Sequence, residues 1–179
     1  MSFSIGSRSG QPAAEREDLL APPVAAAIKA LSDAAAVGVA EIDPELADTA
    51  EFCAHYGVGL QESANCVIVA GKRGGDVTLA ACLVLATTRA DVNGLVRRQL
   101  GARKASFAPM DLAVSETGME YGGITPIGLP AEWPLLIDTA VATSGQLIIG
   151  SGVRRSKIIA PGAVLAGLPN ATVLEGLGL

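Results

Sequence analysis

Two apolar segments joined by a short glycine-rich turn constrain the fold of this 179-residue chain more than any other feature. Residues 65–70 and 77–87 have the alternating, β-branched composition of strands, and residues 71–76 between them have that of a hairpin turn. Helical and strand-like segments alternate along the rest of the chain. An antiparallel hairpin among them argues against a doubly wound parallel sheet. The sequence therefore predicts a mixed-sheet α/β domain.

The other elements follow from apolar periodicity and from the positions of proline and glycine. Pro23, Pro44, Pro109 and Pro161 each suit the start of a helix, and Gly57 and Gly118 each suit a helix end. Helices are predicted at residues 24–36, 45–56, 91–100, 109–117 and 161–168, and further strands at 37–42, 135–138, 147–149 and 157–160. Residues 1–21 contain Gly6, Gly10 and Pro12 without a sustained period, which predicts a flexible leader before one domain at 22–179.

Charge and cysteine content exclude several classes of protein. The formal net charge is −5, but residues 1–62 carry ten acids and three bases, whereas residues 63–179 carry eight acids and ten bases. An acidic chain is not expected to bind DNA through a broad basic surface. The longest uncharged stretch, residues 158–174, is broken by prolines and is not expected to span a membrane. Three cysteines without a Cys-x-x-Cys pair, and no signal peptide, predict reduced thiols and a cytoplasmic protein.

Common catalytic arrangements are not recognisable in the sequence. The single histidine, His55, falls in a predicted helix without a partner cysteine or second histidine, so neither a metal site nor a histidine-dependent triad is expected. Residues 70–74 contain a Gly-Lys pair but have neither the spacing nor the Ser/Thr of a phosphate loop. No cofactor is predicted.

One loop has a composition that points to ligand binding. Residues 122–128, Gly-Gly-Ile-Thr-Pro-Ile-Gly, contain three glycines and one proline. Adjacent glycines let main-chain N–H groups turn toward one point, which is how a backbone site for an oxyanion is built. A tight connection between two elements, without a ligand, is the alternative.

The order of these features resembles the YbaK/prolyl-tRNA-editing (ProX-like) family of aminoacyl-tRNA deacylase domains over residues 45–168. The most specific part is the Gly-Gly-x-x-Pro-x-Gly loop followed by the apolar-Asp strand at 136–138 and by Ile-Gly-Ser-Gly at 149–152. The resemblance implies an α/β fold with a mixed, strongly curved, barrel-like sheet flanked by helices. It also implies hydrolysis of the ester that joins a wrong amino acid to the terminal ribose of a tRNA, with neither metal nor covalent nucleophile.

The resemblance also implies roles for individual residues. The backbone of Gly122 and Gly123 is the expected oxyanion donor, and Thr125 is expected to lend its hydroxyl group. The expected substrate-binding residues are Pro126, Gly128, Asp138, Gly150, Ser151 and Gly152. Alternatives stay open: a turn hydrogen bond for Thr125, a helix cap for Asp138, and a turn at the end of a strand for residues 150–152.

One departure from the family concerns the start of the strand at 65–69. Members typically have a lysine there that helps to hold substrate or water, and this chain has Asn65. An amide can position water or a ribose hydroxyl, but it brings no positive charge, and Lys72 lies beyond the strand. The chain is therefore expected either to hydrolyse its substrate with different pocket chemistry, Asn65 being a catalytic residue, or to bind without efficient hydrolysis. A structural or assembly protein is a third possibility.

Basic residues in three groups are candidate contacts for the phosphates of a tRNA acceptor end. The groups are Lys72 and Arg73; Arg97, Arg98, Arg103 and Lys104; and Arg154, Arg155 and Lys157. Because only six residues are aromatic, the sequence predicts no stacking platform for bases. The oligomeric state stays open between monomer and homodimer.

Overall fold

The computed structural model describes residues 2–179, which form two five-stranded sheets with six α-helices. The strands are β1 (Phe3–Ile5), β2 (Arg8–Pro12), β3 (Gly38–Glu41), β4 (Ala64–Arg73), β5 (Asp76–Leu85), β6 (Lys104–Phe107), β7 (Leu135–Asp138), β8 (Gln146–Gly150), β9 (Ser156–Pro161) and β10 (Ala171–Leu174). The helices are α1 (Pro22–Ala30), α2 (Thr49–Tyr56), α3 (Arg97–Gln99), α4 (Met110–Thr117), α5 (Thr139–Ala142) and α6 (Gly162–Ala166).

The first sheet is antiparallel throughout, the second is mixed, and one isolated bridge pairs their backbones. The first has the order β1-β2-β3-β9-β8 and the second the order β10-β7-β5-β4-β6. β7 runs parallel to both β5 and β10, and the other pairs within the sheets are antiparallel. An isolated parallel bridge between Ser63 and Ile148 joins β4 to β8. The sheet curls strongly into a half-barrel, so the predicted mixed, curved α/β fold is confirmed.

The predicted hairpin is the longest pairing in the molecule. β4 and β5 pair from Ala64–Leu85 to Arg73–Asp76, which leaves a two-residue turn at Gly74 and Gly75. Gly74 has a φ of 61°, a left-handed conformation that favours glycine in such a turn. The turn fixes the register, and the register decides which residues of β4 face the site described below.

The prediction of a flexible leader is wrong for the described residues of that segment; Met1 lies outside them. β1 and β2 form a hairpin, and β2 pairs with β3 through Gln11–Val39 and Pro12–Gly38. Phe3, Ala13 and Leu19 are buried. The segment was misread because β2 is a polar strand with mostly exposed side chains, which carries no apolar periodicity.

Three predicted helices differ in detail from those observed. The segment predicted as one helix at 24–36 divides into α1, which ends at Ala30, and a 3₁₀ turn, Ala34–Ala36. The segment predicted as one helix at 45–56 divides into a 3₁₀ turn, Pro44–Leu46, and α2, which ends at Gly57 in the left-handed conformation. At 91–100, a π-helical turn (Val92–Val96) precedes α3, and both carboxylate oxygens of Asp91 accept backbone N–H groups. The sequence does not predict β6 and β10, because few of their residues are buried and neither shows a clear apolar pattern.

The main core lies between the sheets and α1, with large buried side chains such as Ile28, Leu83, Ile137 and Leu147. β6 pairs with β4 only from Val69 to Lys72, and β8 pairs with this segment only at Ser63, the residue before β4. Residues 64–67 of β4 therefore form an open strand edge between the two sheets. No helix among residues 2–179 is both long and apolar enough to cross a lipid bilayer.

Candidate active site

A cleft of about 360 Å³ opens at this free edge of β4. One wall is β4 itself, a second is the start of α2, and a third combines the glycine loop with the ends of β8 and β9. Its lining residues include Ala47, Asp48, Thr49, Asn65, Cys66, Phe107, Tyr121, Gly122, Ile124, Gly150 and Lys157. A concave site where two sheets separate is a common place for a ligand.

The backbone of Cys66 faces this cleft. In β4 the even-numbered residues turn their backbone groups away from β5, since the Ile68 carbonyl accepts from Ala108 N and the Lys72 carbonyl from Arg103 N. The backbone of Cys66 has the same direction because hydrogen-bonding direction alternates along a strand. Pairing with β6 begins only at Val69, so the N–H and C=O of Cys66 point into the cleft.

Asn65 is held in a fixed orientation by α2. Thr49 Oγ1 donates a 2.7 Å hydrogen bond to Asn65 Oδ1. Thr49 is the first residue of α2, and both residues line the cleft. With its oxygen engaged, the amide of Asn65 presents its Nδ2 donor group. The structure thus places Asn65, a candidate catalytic residue from the sequence, in the lining of the cleft.

Lys157 supplies the cationic group that Asn65 lacks. The side chain is only 7% exposed and lines the cleft. Its Nζ donates a 2.7 Å hydrogen bond to the carbonyl oxygen of Ala47 and lies 5.4 Å from the ring centre of Phe52. Burial lowers the pKa of this amine to about 8, against the opposing attraction of Asp48. Among residues 2–179, no carboxylate lies within 4.0 Å of the Lys157 Nζ.

The sequence pattern places Lys157 only among the candidate RNA contacts. The missed signal was a lysine within the apolar strand Ser-Lys-Ile-Ile-Ala-Pro, whose residues are nearly all buried. A charge in a buried strand costs free energy unless it is paired or hydrogen-bonded, so its presence can mark a functional site. β9 pairs Lys157 with Gly150 of β8, which is how the lysine reaches the cleft.

The two adjacent glycines of the loop have different roles. Gly122 lines the cleft with a φ of 88°, and a Cβ on it would clash with the Arg154 guanidinium group. Gly123 N donates to Glu120 O at 3.0 Å, so this N–H is engaged in a turn. A Cβ on Gly123 would lie 2.7–2.9 Å from the backbone of Val153. Gly123 therefore serves close packing, and Gly122 is the member of the pair that faces the cleft.

Three other residues of this loop lie outside the cleft. Thr125 is completely buried, and its Oγ1 has no hydrogen-bond partner among the described residues. Pro126 and Gly128 line a separate, mostly apolar cavity of about 200 Å³ beside Trp133. A Cβ on Gly128 would lie 2.6 Å from the Pro23 carbonyl oxygen, so packing accounts for this glycine. The structure does not bring these residues to Asn65.

Asp138 and Ser151, two more residues expected to bind substrate, lie outside the cleft lining. Asp138 is buried at the end of β7 beside Gly178 and Thr88, away from the cleft lining, and it makes no side-chain cap on α5. Ser151 Oγ donates to Val153 O at 3.0 Å and lies 2.6 Å from Ser156 Oγ.

Gly150 and Gly152, which are also expected to bind substrate, differ in their surroundings. A Cβ on Gly152 would clash with Ala21. Of residues 150–152, Gly150 alone is in the cleft lining.

The candidate RNA contacts also divide into two sets. Arg154 donates to Asp48 Oδ1 at 3.2 Å and to Tyr121 O at 3.3 Å, so it braces the cleft rim, and Arg155 donates to Asp18 O. The other set, here called the hairpin cluster, surrounds the β4–β5 turn. Its members are Lys72, Arg73, Arg97, Arg98, Arg103 and Lys104. All except the half-buried Arg97 are exposed.

Comparison with known proteins gives a consistent result. The chain is similar to a solved structure described as a "putative trans-editing enzyme for prolyl tRNA synthetase", at 21% identity and a TM-score of 0.73, covering 87% of this chain and 94% of that one. It is also similar to a solved hypothetical protein, at 21% identity and a TM-score of 0.76, covering 88% and 99% of the two chains. At this identity the likeness shows the fold. A comparison with curated protein sequences found no match.

The sequence model of one family covers most of the chain. The model of the aminoacyl-tRNA editing domain matches residues 43–168, a range that includes α2, the hairpin, the glycine loop and Lys157. The chain therefore belongs to the aminoacyl-tRNA editing domain family.

Proposed function

We propose that this protein is an aminoacyl-tRNA deacylase that acts in trans in the cytoplasm, hydrolysing the ester between a wrong amino acid and the terminal ribose of a tRNA. The observation that carries the proposal is the convergence of Asn65, Gly122 and Lys157 on one cleft. These groups can bind and polarise an ester, and family membership names the class of ester.

The proposed reaction needs positioning and charge stabilisation rather than a protein nucleophile. Water attacks the carbonyl carbon of the ester, and the carbonyl oxygen becomes an oxyanion. The bond to the ribose oxygen then breaks, the ribose oxygen takes one proton of the attacking water, and the amino acid leaves as a carboxylate while the other proton passes to solvent. Fixed donors aimed at the developing oxyanion provide the largest catalytic contribution in such reactions.

Lys157 and Asn65 have complementary roles in this scheme. At neutral pH the amine of Lys157 is mainly an ammonium group, since its pKa is about 8. One N–H bonds to Ala47, and the others are free to donate to the oxyanion. Asn65 Nδ2 positions the attacking water or a ribose hydroxyl. The glycine at 122 lets the substrate approach the backbone closely.

A binding protein without hydrolytic activity is the second candidate, and the absence of a lysine at position 65 favours it. The location of Lys157 weakens this argument, because Lys157 brings a positive charge into the same cleft from β9. Cys66 is not the nucleophile in either case, because burial raises the pKa of its thiol.

The test is a deacylation screen over a panel of mischarged tRNAs, with wild type and Asn65→Ala. Lys29→Met is the matched control, because Lys29 pairs with Glu17 on the surface away from the cleft. We expect at least one ester to be hydrolysed by wild type and by Lys29→Met, and at least tenfold more slowly by Asn65→Ala. Binding of aminoacyl-tRNA without hydrolysis of any ester would favour the second candidate.

A further inference from the structure

The aromatic residues of this chain are distributed unevenly between core and surface. There are three Phe, two Tyr and one Trp. Phe3, Phe52, Tyr56 and Trp133 are at most 6% exposed. The remaining two, Phe107 and Tyr121, are 60% and 54% exposed, and both line the cleft. The few aromatic rings that the fold leaves in water are therefore all at one site.

The two rings flank the mouth of the cleft from different elements. Phe107 ends the edge strand β6, and Tyr121 precedes Gly122 in the glycine loop. The Tyr121 carbonyl accepts from Arg154, which fixes the backbone at this rim. An exposed aromatic ring forgoes the free energy of burial, about 25 cal/mol per Å². Paired exposure at a cleft mouth is typical of a surface that receives a flat, apolar-faced ligand.

The basic residues on the same sheet edge as Phe107 indicate the chemical class of this ligand. β6 begins at Lys104, three residues before Phe107, a distance of about 10 Å along a strand. Lys104 pairs with Lys72 of β4, so the nearest members of the hairpin cluster lie about 10 Å from Phe107 along the same sheet edge. Beside Tyr121 the exposed Asp48 is paired with Arg154, whose guanidinium group also donates to the Tyr121 carbonyl. A planar group followed by negative charges, as in the end of a polynucleotide, matches this arrangement.

We propose that Phe107 and Tyr121 hold the terminal nucleobase of a single-stranded RNA end, with the base stacked on Phe107. The preceding phosphates contact the hairpin cluster, and the terminal ribose enters the cleft toward Asn65 and Lys157. This inference rests on the proposed function for the ester, but the stacking itself does not need an amino acid. The sequence predicts no stacking platform, whereas this proposal needs only the two rings that line one cleft.

Fluorescence of an RNA probe tests the stacking directly. The probe is a short single-stranded RNA without an amino acid that carries 2-aminopurine as its last base, whose emission is quenched by stacking. We expect wild type to quench it, Phe107→Tyr to retain the quenching, and Phe107→Leu to weaken binding about 5- to 150-fold, the range of one lost base–aromatic stack. Val173→Ala, at an exposed apolar residue of β10 outside the cleft lining, is the matched control.

The outcomes separate this inference from the proposed function. Quenching that is lost in Phe107→Leu supports the inference, even if no aminoacyl ester is hydrolysed. Hydrolysis by wild type with an unchanged KM in Phe107→Leu, or no quenching by wild type, overturns the inference and leaves the deacylase proposal standing. Equal binding of the probe by Phe107→Leu and Phe107→Tyr also overturns it, because apolar contact alone would then explain the affinity.

Discussion

The Nζ of Lys157 donates a 2.7 Å hydrogen bond to the carbonyl oxygen of Ala47 and thereby holds an ammonium group in the wall of the cleft that Asn65 lines. Lys157 belongs to β9 of the first sheet and Asn65 to β4 of the second. The cleft thus joins a cation and an amide from two sheets whose backbones, among residues 2–179, pair only at the Ser63–Ile148 bridge.

The pH profile of deacylation should reflect the titration of Lys157. If the ammonium form donates to the oxyanion, the rate enhancement over uncatalysed hydrolysis is full below pH 8 and falls as the pH rises through about 8. Dividing by the uncatalysed rate removes the hydroxide dependence of the ester itself. In Lys157→Met the ratio should be low and should show no transition near pH 8. A wild-type ratio that rises through pH 8 would indicate a neutral amine acting as a base instead.

Lys157→Met should also be more stable than wild type at neutral pH. Folding lowers the pKa of Lys157 from 10.5 to about 8, so the folded state binds this proton less tightly than the unfolded state. Below pH 8 both states are charged and the burial cost is full, about 3 kcal/mol. Loss of the bond to Ala47 offsets about 1 kcal/mol of the gain.

Denaturant unfolding of both proteins between pH 7 and 10.5 measures this difference. Between pH 8 and 10.5 the folded state releases the proton while the unfolded state keeps it, so the advantage of Lys157→Met should shrink as the pH rises. A free energy of unfolding lower than that of wild type at pH 7 would contradict the assigned burial cost.

Thr49→Val should lower activity through Asn65 without unfolding the protein. The substitution keeps the shape of the side chain but removes the donor to Asn65 Oδ1, so the amide loses its fixed orientation. We expect kcat/KM to fall about tenfold, the free energy of unfolding to fall by about 1 kcal/mol, and Thr49→Ser to restore both. Steady-state kinetics and thermal unfolding check this. An unchanged kcat/KM in Thr49→Val would remove Asn65 from the proposed catalytic set.

Gly123→Ala should mainly lower the stability of the protein, whereas Gly122→Ala should mainly lower its activity. The Cβ at 123 meets the backbone of Val153, which cannot move aside cheaply, and we expect a loss of about 1–3 kcal/mol in unfolding free energy. The Cβ at 122 meets the flexible end of Arg154, and its left-handed backbone adds about 1–2 kcal/mol of strain. At a temperature where both variants are folded, Gly122→Ala should lose more activity. The reverse order would indicate that Gly123, and not Gly122, borders the bound substrate.

Cys66→Ala should hydrolyse its substrate within about twofold of the wild-type rate. Although Cys66 lines the cleft, burial raises the pKa of its thiol, and the reactive thiolate is scarce at neutral pH. Thiol-specific reagents should label it slowly. A covalent adduct between Cys66 and the amino acid, detected by mass spectrometry after rapid quenching, would overturn the nucleophile-free scheme.

Local sequence patterns predicted the elements whose signal is local. The hairpin turn at Gly74, the helix end at Gly57 and the strand before Asp138 depend on periodicity and on backbone conformation, which neighbouring residues reveal. β2 was missed because its polar side chains face solvent, and only its pairing with β3 makes it a strand.

Candidate site residues were predicted less well, because a glycine or proline pattern does not tell which cavity it borders. Gly128 and Gly152 need close packing, and Ser151 holds a turn through Ser156, so their patterns report structure rather than ligand contact. Lys157 and Asn65 meet through sheet topology, which neither local segment contains. The sequence likewise does not reveal that the exposed rings of Phe107 and Tyr121 line the same cleft.

The most direct test of the central claim is the rate at which Lys157→Met releases the amino acid from the mischarged tRNA that wild type hydrolyses best, measured at pH 7. Loss of one oxyanion donor typically costs about 100- to 1,000-fold in kcat, and we predict a loss in that range with tRNA binding retained. A Lys157→Met protein that is folded and hydrolyses the ester within about threefold of wild type would contradict the account, because this buried amine would then have no part in catalysis.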